Sequence, residues 1–104
     1  MAGEKILIIE DDPDIAVMLD DMLSQQGYGT LLAHDGVNGL KLALQERPTL
    51  ILLDLRLPQM NGVELLSLLR TKSTVPVIVV SAMASEELTR RALRMGVKDY
   101  FKKP

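Results

Sequence analysis

The chain has 104 residues, a net charge of −2 and no cysteine. That length suits one domain with its own core, and the lack of cysteine excludes disulfides, thiolate nucleophiles and cysteine-based zinc sites. The charge lacks the basic excess of a nucleic-acid-binding surface, and 3% aromatic residues leave no platform for stacked bases.

The polar start Met1–Lys5 has neither the basic segment nor the long apolar stretch of a signal peptide. No apolar run approaches the ~20 residues that span a bilayer, so no membrane contact and a cytoplasmic location are expected. Ile6-Leu7-Ile8-Ile9 reads as a strand buried on both faces, the mark of a parallel sheet. Pro13 then opens a helix, where its missing N–H needs no partner. Ile15, Met18, Leu19, Met22 and Leu23 form its apolar stripe, and Gly27 closes it. Leu31-Leu32-Ala33 is a weaker strand. Val37, Leu40 and Leu44 carry a second helix that stops at Pro48. Leu50-Ile51-Leu52-Leu53 is a strong strand, followed by Asn61 as the cap of a third helix with Val63, Leu66 and Leu69 along one stripe. Val77-Ile78-Val79-Val80 is the next strong strand. Ser85 is expected to cap a fourth helix that contains Leu88, Ala92 and Met95 and ends near Gly96, and Tyr100-Phe101 is a weaker last strand.

Four β-α units and a final β predict a parallel sheet with helices on both sides, because the crossovers are right-handed. Ligands of such sheets bind beyond the carboxyl ends of the strands. There the chain gathers Glu10-Asp11-Asp12 after the first strand, Asp54 after the third, Ser81 after the fourth and Lys102-Lys103-Pro104 after the last. Asp54 directly follows four aliphatic residues, where an ionised carboxylate gains nothing for a core. A loop aspartate just outside a strand would explain it alone, but Glu10 and Asp11 change the weighing. Three crowded carboxylates repel, and at least one pKa rises unless a cation intervenes. Mg²⁺ takes hard oxygen ligands and keeps positions open for phosphate oxygens. A carboxylate is also a nucleophile toward phosphorus, in a transfer that needs positioning and charge neutralisation more than covalent help. Lys103 would supply a point charge to a phosphoryl oxygen, and Ser81 a hydrogen bond.

Those residues bring the chain to a family. From Lys5 to Pro104 it resembles the receiver domains of two-component response regulators. The supporting motifs are Ile9-Glu10-Asp11-Asp12-Pro13, the run Leu53-Asp54 through Leu57-Pro58-Gln59-Met60-Asn61-Gly62, Val80-Ser81-Ala82 and Lys103-Pro104. The resemblance implies an α/β, flavodoxin-like (βα) receiver fold, with a five-stranded parallel sheet of order 2-1-3-4-5, over residues 1–104. It implies that Asp54 takes a phosphoryl group from a sensor histidine kinase or phosphotransfer protein, in a signalling module that is not a turnover enzyme. Mg²⁺ is expected on the carboxylates of Asp11 and Asp54, on Glu10 through water, and on the backbone carbonyl of Arg56. Ser81 and Lys103 match the family's switch hydroxyl and pocket lysine, and Tyr100 its switch aromatic. By analogy, phosphorylation draws Ser81 inward, the ring follows, and the face of the fourth helix and fifth strand changes. The Lys103–Pro104 bond is often cis in the family. Members continue into a fifth helix where this chain stops, so the domain is expected to be C-terminally incomplete. A homodimer is one expected means of covering the apolar surface so exposed, and any effector domain would lie beyond the chain end.

His34 reads as a surface-loop histidine and the methionines as core. Asp14, Asp20 and Asp21 read as a solvated helix face, and Asp12 either as a pocket-lining carboxylate or, slightly ahead, as a favourable charge at a helix N-terminus. Arg90, Arg91 and Arg94 form a basic face, solvated first and a docking surface second. Arg56, two residues after the acceptor, is expected to tune how long a phosphoryl group survives. A phosphohydrolase would carry an acid/base aspartate at that position, and a nucleotide or flavin domain a Gly-rich first loop. A receiver reduced to protein contact would not keep Asp11, Asp54, Ser81 and Lys103 together.

Overall fold

A computed structural model describes residues 4–58, 60–82 and 86–103. In chain order these are β1 (Lys5–Ile9), α1 (Pro13–Gln25), β2 (Gly29–Ala33), α2 (Gly36–Glu46), β3 (Leu50–Leu53), α3 (Gly62–Arg70), β4 (Val77–Ser81), α4 (Glu86–Arg94) and β5 (Asp99–Lys102). Every strand pair is parallel, and the sheet order is β2-β1-β3-β4-β5. This is the doubly wound architecture that the alternating pattern implies. No helix among the described residues is long and apolar enough to cross a membrane.

The core follows from strand alternation. Leu7, Ile9, Ile51, Leu53, Val77 and Val79 point to one side and pack with Ala43 of α2, Val63, Leu65, Leu66 and Leu69 of α3, and Ala92 of α4. Two glycines allow that packing to be close. A Cβ on Gly39 of α2 would stand 2.7 Å from the Ile9 side chain, and one on Gly62 would stand 2.6 Å from Leu55 Cα. Pro13 and Asn61 stand where the sequence placed them, Pro13 in the first turn of α1 and Asn61 accepting from the N–H of Glu64, and Asp12 caps α1 by accepting from the N–H groups of Asp14 and Ile15. Gly27 and Gly96 follow α1 and α4 with φ of +92° and +80°. Ser85, expected to cap α4, lies outside the described residues, as do the side chain of Leu88 and the Lys103–Pro104 bond.

Two apolar stripes differ from expectation. In α1, Met18 and Met22 are 53% and 58% exposed, and the buried residue is Ala16. The helix packs on β1 and β2, so the half of its stripe that leans toward β4 and β5 meets no described helix. Leu52, Ile78 and Val80 on that sheet face are accordingly only partly buried, and Phe101 is 53% exposed. In α2, Val37 is exposed while Gly36, Gly39 and Ala43 are buried, because the helix approaches β1 through its smallest residues. Nothing in the sequence signals the role of Arg70. Its guanidinium donates to the carbonyls of Val75 and Met95, each at 2.8 Å, and so joins α3 to the start of β4 and the end of α4.

Candidate functional site

Backbone hydrogen bonds that continue the strand pairings carry the polar residues to one edge of the sheet. The Glu10 N–H donates to the Ala33 carbonyl at 2.9 Å, the Asp54 N–H to Ile9 at 3.0 Å, and the Lys103 N–H to Ser81 at 3.0 Å. Each functional side chain therefore sits one or two steps from a rigid strand. Asp54 is 5% exposed, Glu10 2% and Ser81 is fully buried, whereas Asp11 is exposed.

Asp54 is held at both oxygens. Oδ1 accepts from Ser81 Oγ at 2.8 Å and from the Arg56 N–H at 2.9 Å, and Oδ2 accepts from Lys103 Nζ at 2.8 Å. The same ammonium donates to Glu10 Oε1, and Glu10 Oε2 takes the Asp12 N–H at 3.1 Å. No buried side-chain nitrogen or oxygen among the described residues lacks a partner, as a low-dielectric polar cluster requires.

Charge is distributed unevenly over the cluster. Burial pushes the Glu10 carboxyl up, and the bonds from Lys103 and the Asp12 N–H do not fully offset it, so its pKa lies above the ordinary value. Burial pushes Asp54 up too, but the bonds from Lys103, the Arg56 N–H and Ser81 outweigh it and hold Asp54 below the usual range. Burial draws Lys103 down, and its two carboxylates more than reverse that. At neutral pH Asp54 is thus an anion beside a fixed cation.

One oxygen from each of Glu10, Asp11 and Asp54 lies within 4.8 Å of the others. One ammonium neutralises one of these three charges. The remaining negative charge and an all-oxygen donor set suit a hard divalent cation. The cluster opens into a cavity of about 500 Å³, lined by these three carboxylates and Asp12, by Arg56 and Lys103, and by apolar residues of α1 and of the end of β4, so Asp12 both caps α1 and lines the pocket.

Glu10, Asp11, Asp54, Ser81 and Lys103 therefore converge as the strand order implied. Arg56 gives Asp54 its N–H, while its side chain lines the cavity without pairing with Glu10, whose Oε1 is taken by Lys103. Tyr100 pairs in register with Val79 and packs on the core, away from the carboxylates. His34 is an exposed loop residue, as expected, and its Nδ1 lies 3.2 Å from the Glu10 carbonyl oxygen. Nothing in the sequence pairs those two positions.

A doubly wound domain with an acidic, lysine-bridged pocket beyond its strand ends defines a class, and comparison with known proteins identifies it. A family model described as the response regulator receiver domain matches residues 6–104. The DNA-binding response regulator MtrA of Mycolicibacterium smegmatis is 38% identical over 101 residues, which cover 97% of this chain and 44% of MtrA. Sporulation initiation phosphotransferase F of Bacillus subtilis is 32% identical over 105 residues, covering all of this chain and 85% of that protein. The crystal structure of a response regulator receiver domain protein from Methanospirillum hungatei superposes with a TM-score of 0.93 at 32% identity, over 99% of this chain and 83% of that one. The chain belongs to the response regulator receiver domain family of two-component signalling. It spans less than half the length of regulators such as MtrA.

Proposed function

We propose that Asp54 is the phosphoacceptor of this receiver domain, and that it takes a phosphoryl group from a phosphohistidine on a sensor histidine kinase or phosphotransfer protein. One observation carries this reading: a buried carboxylate kept ionised by Lys103, Ser81 and the Arg56 N–H, at the mouth of an acidic cavity. An Asp54 oxygen attacks phosphorus, the phosphorus–nitrogen bond breaks, and the electron pair stays on the imidazole. The product is an acyl phosphate. Lys103 and Ser81, now on Asp54, are placed to follow the charge onto phosphoryl oxygens.

Glu10, Asp11 and Asp54, with the Arg56 carbonyl, would hold Mg²⁺, which supplies charge neutralisation between the carboxylates and the incoming phosphoryl oxygens. A shift of Ser81 toward the phosphoryl group would be passed to Tyr100 on the neighbouring strand β5, and so to the face of α4 and β5. Arg56, exposed over the cavity, is placed to control water at the acyl phosphate and hence its lifetime. The reading makes the domain a switch and not a turnover enzyme: Arg56 stands where a hydrolase would keep an acid/base carboxylate. Any effector would be supplied by sequence outside residues 1–104 or by a separate partner.

Incubation with Mg²⁺ and acetyl phosphate, followed by intact-mass measurement, tests the reading. A gain of one phosphoryl group that Asp54→Asn abolishes supports it. A folded protein that gains none refutes it.

A further inference from the structure

Glu10 is bound at each polar group it carries. Its N–H goes to Ala33, its Oε1 to Lys103 and its Oε2 to the Asp12 N–H. The fourth group is its carbonyl oxygen, 3.2 Å from His34 Nδ1. A carbonyl only accepts, so Nδ1 carries the proton in this contact. The β1–β2 pairing ends at Ile9 and Ala33, so His34 supplies what the sheet no longer does.

We infer that His34 is a positioning residue for the acidic site: by holding the Glu10 carbonyl it fixes peptide 10–11, and with it the direction from which Asp11 presents its carboxylate. The peptide is planar, so a fixed carbonyl fixes the Asp11 N–H and the bond about which Asp11 turns. That matters for Asp11 because its side chain is exposed and packing does not orient it. His34 is itself well founded. Ala33 before it ends β2, and Asp35 after it caps α2 by accepting the Asn38 N–H at 2.7 Å. Partners that orient metal-binding groups from outside the coordination sphere have large effects on affinity.

This inference rests on the reading of Glu10, Asp11 and Asp54 as cation ligands, and its test separates the two. Mg²⁺ affinity is measured by calorimetry, with no phosphodonor, for the unsubstituted chain and for His34→Asn, His34→Gln and His34→Ala. Metal-free melting is recorded for each. Asparagine keeps an N–H donor where Nδ1 stands, glutamine moves it out by one bond, and alanine removes it. His34→Asn is expected to bind Mg²⁺ within about twofold of the unsubstituted chain, and His34→Gln and His34→Ala about tenfold more weakly, with metal-free melting alike in all four. Equal affinities throughout, or a loss in His34→Asn as large as in His34→Ala, would overturn the inference alone. An unsubstituted chain that binds no Mg²⁺ would overturn the ligand reading and the inference with it.

Discussion

Asp54 and Glu10 share one ammonium, yet their acidities move in opposite directions. Both are buried. Asp54 accepts three hydrogen bonds that favour its charge, whereas Glu10 has fewer and faces Asp54. Asp54, lowered by folding, adds stability above its unfolded value of about 3.9, and that stability is lost as pH falls through the folded value. Glu10, raised by folding, does the reverse: its ionisation withdraws stability as pH climbs from about 4.3 through the folded value. Lys103, also raised, contributes in full below about 10.4 and loses that contribution as pH rises past its folded value. Glu10→Gln removes the costly charge. In metal-free buffer at neutral pH it should raise the melting temperature. The gain should vanish below about pH 4, where Glu10 is protonated folded or unfolded; melts at both pH values check it. The charged members of this site were legible because their residue types stand at strand ends. His34 was not, because a loop position does not say which carbonyl a ring faces.

Elements are placed on the sheet by side-chain size as much as by periodicity. Gly39 and Gly62 both mark close approaches, but their neighbours differ. The atoms facing Gly39 are Cδ1, Cγ2 and Cγ1 of the Ile9 side chain, which can shift in part; the atom nearest Gly62 is Leu55 Cα, which cannot move without the loop after Asp54. Gly39→Ala should therefore cost about 1–2 kcal/mol in chemical denaturation, and Gly62→Ala distinctly more, about 3 kcal/mol. Equal losses would contradict this account of the packing. Strand positions, caps and helix ends could be read because Pro, Gly, Asn and Asp act locally. The exposed Met18, Met22 and Val37 could not, because a stripe shows which side of a helix is apolar, not whether another element covers it.

For the molecule as a whole, the site exists only when β1, β3, β4 and β5 are assembled, since each brings one part of it. A cation that binds the carboxylate cluster therefore binds the folded chain and not the unfolded one. Saturating Mg²⁺ should stabilise the protein by about 2.7 kcal/mol at one hundred times its dissociation constant, and Asp11→Asn should remove most of that gain in thermal melts. This convergence was readable in advance because a parallel sheet places all its strand ends at one edge. The hydrogen bonds from Ser81 and Lys103 to Asp54 needed coordinates. The central claim is that Asp54 itself receives the phosphoryl group. Its most direct test is to reduce the acetyl phosphate-treated protein with borohydride, which converts an aspartyl phosphate to homoserine, and to locate that residue by peptide mass spectrometry. Homoserine at position 54 alone is the predicted result. Homoserine at position 11 or 12, or a phosphoryl-bearing chain with none at 54, would contradict it.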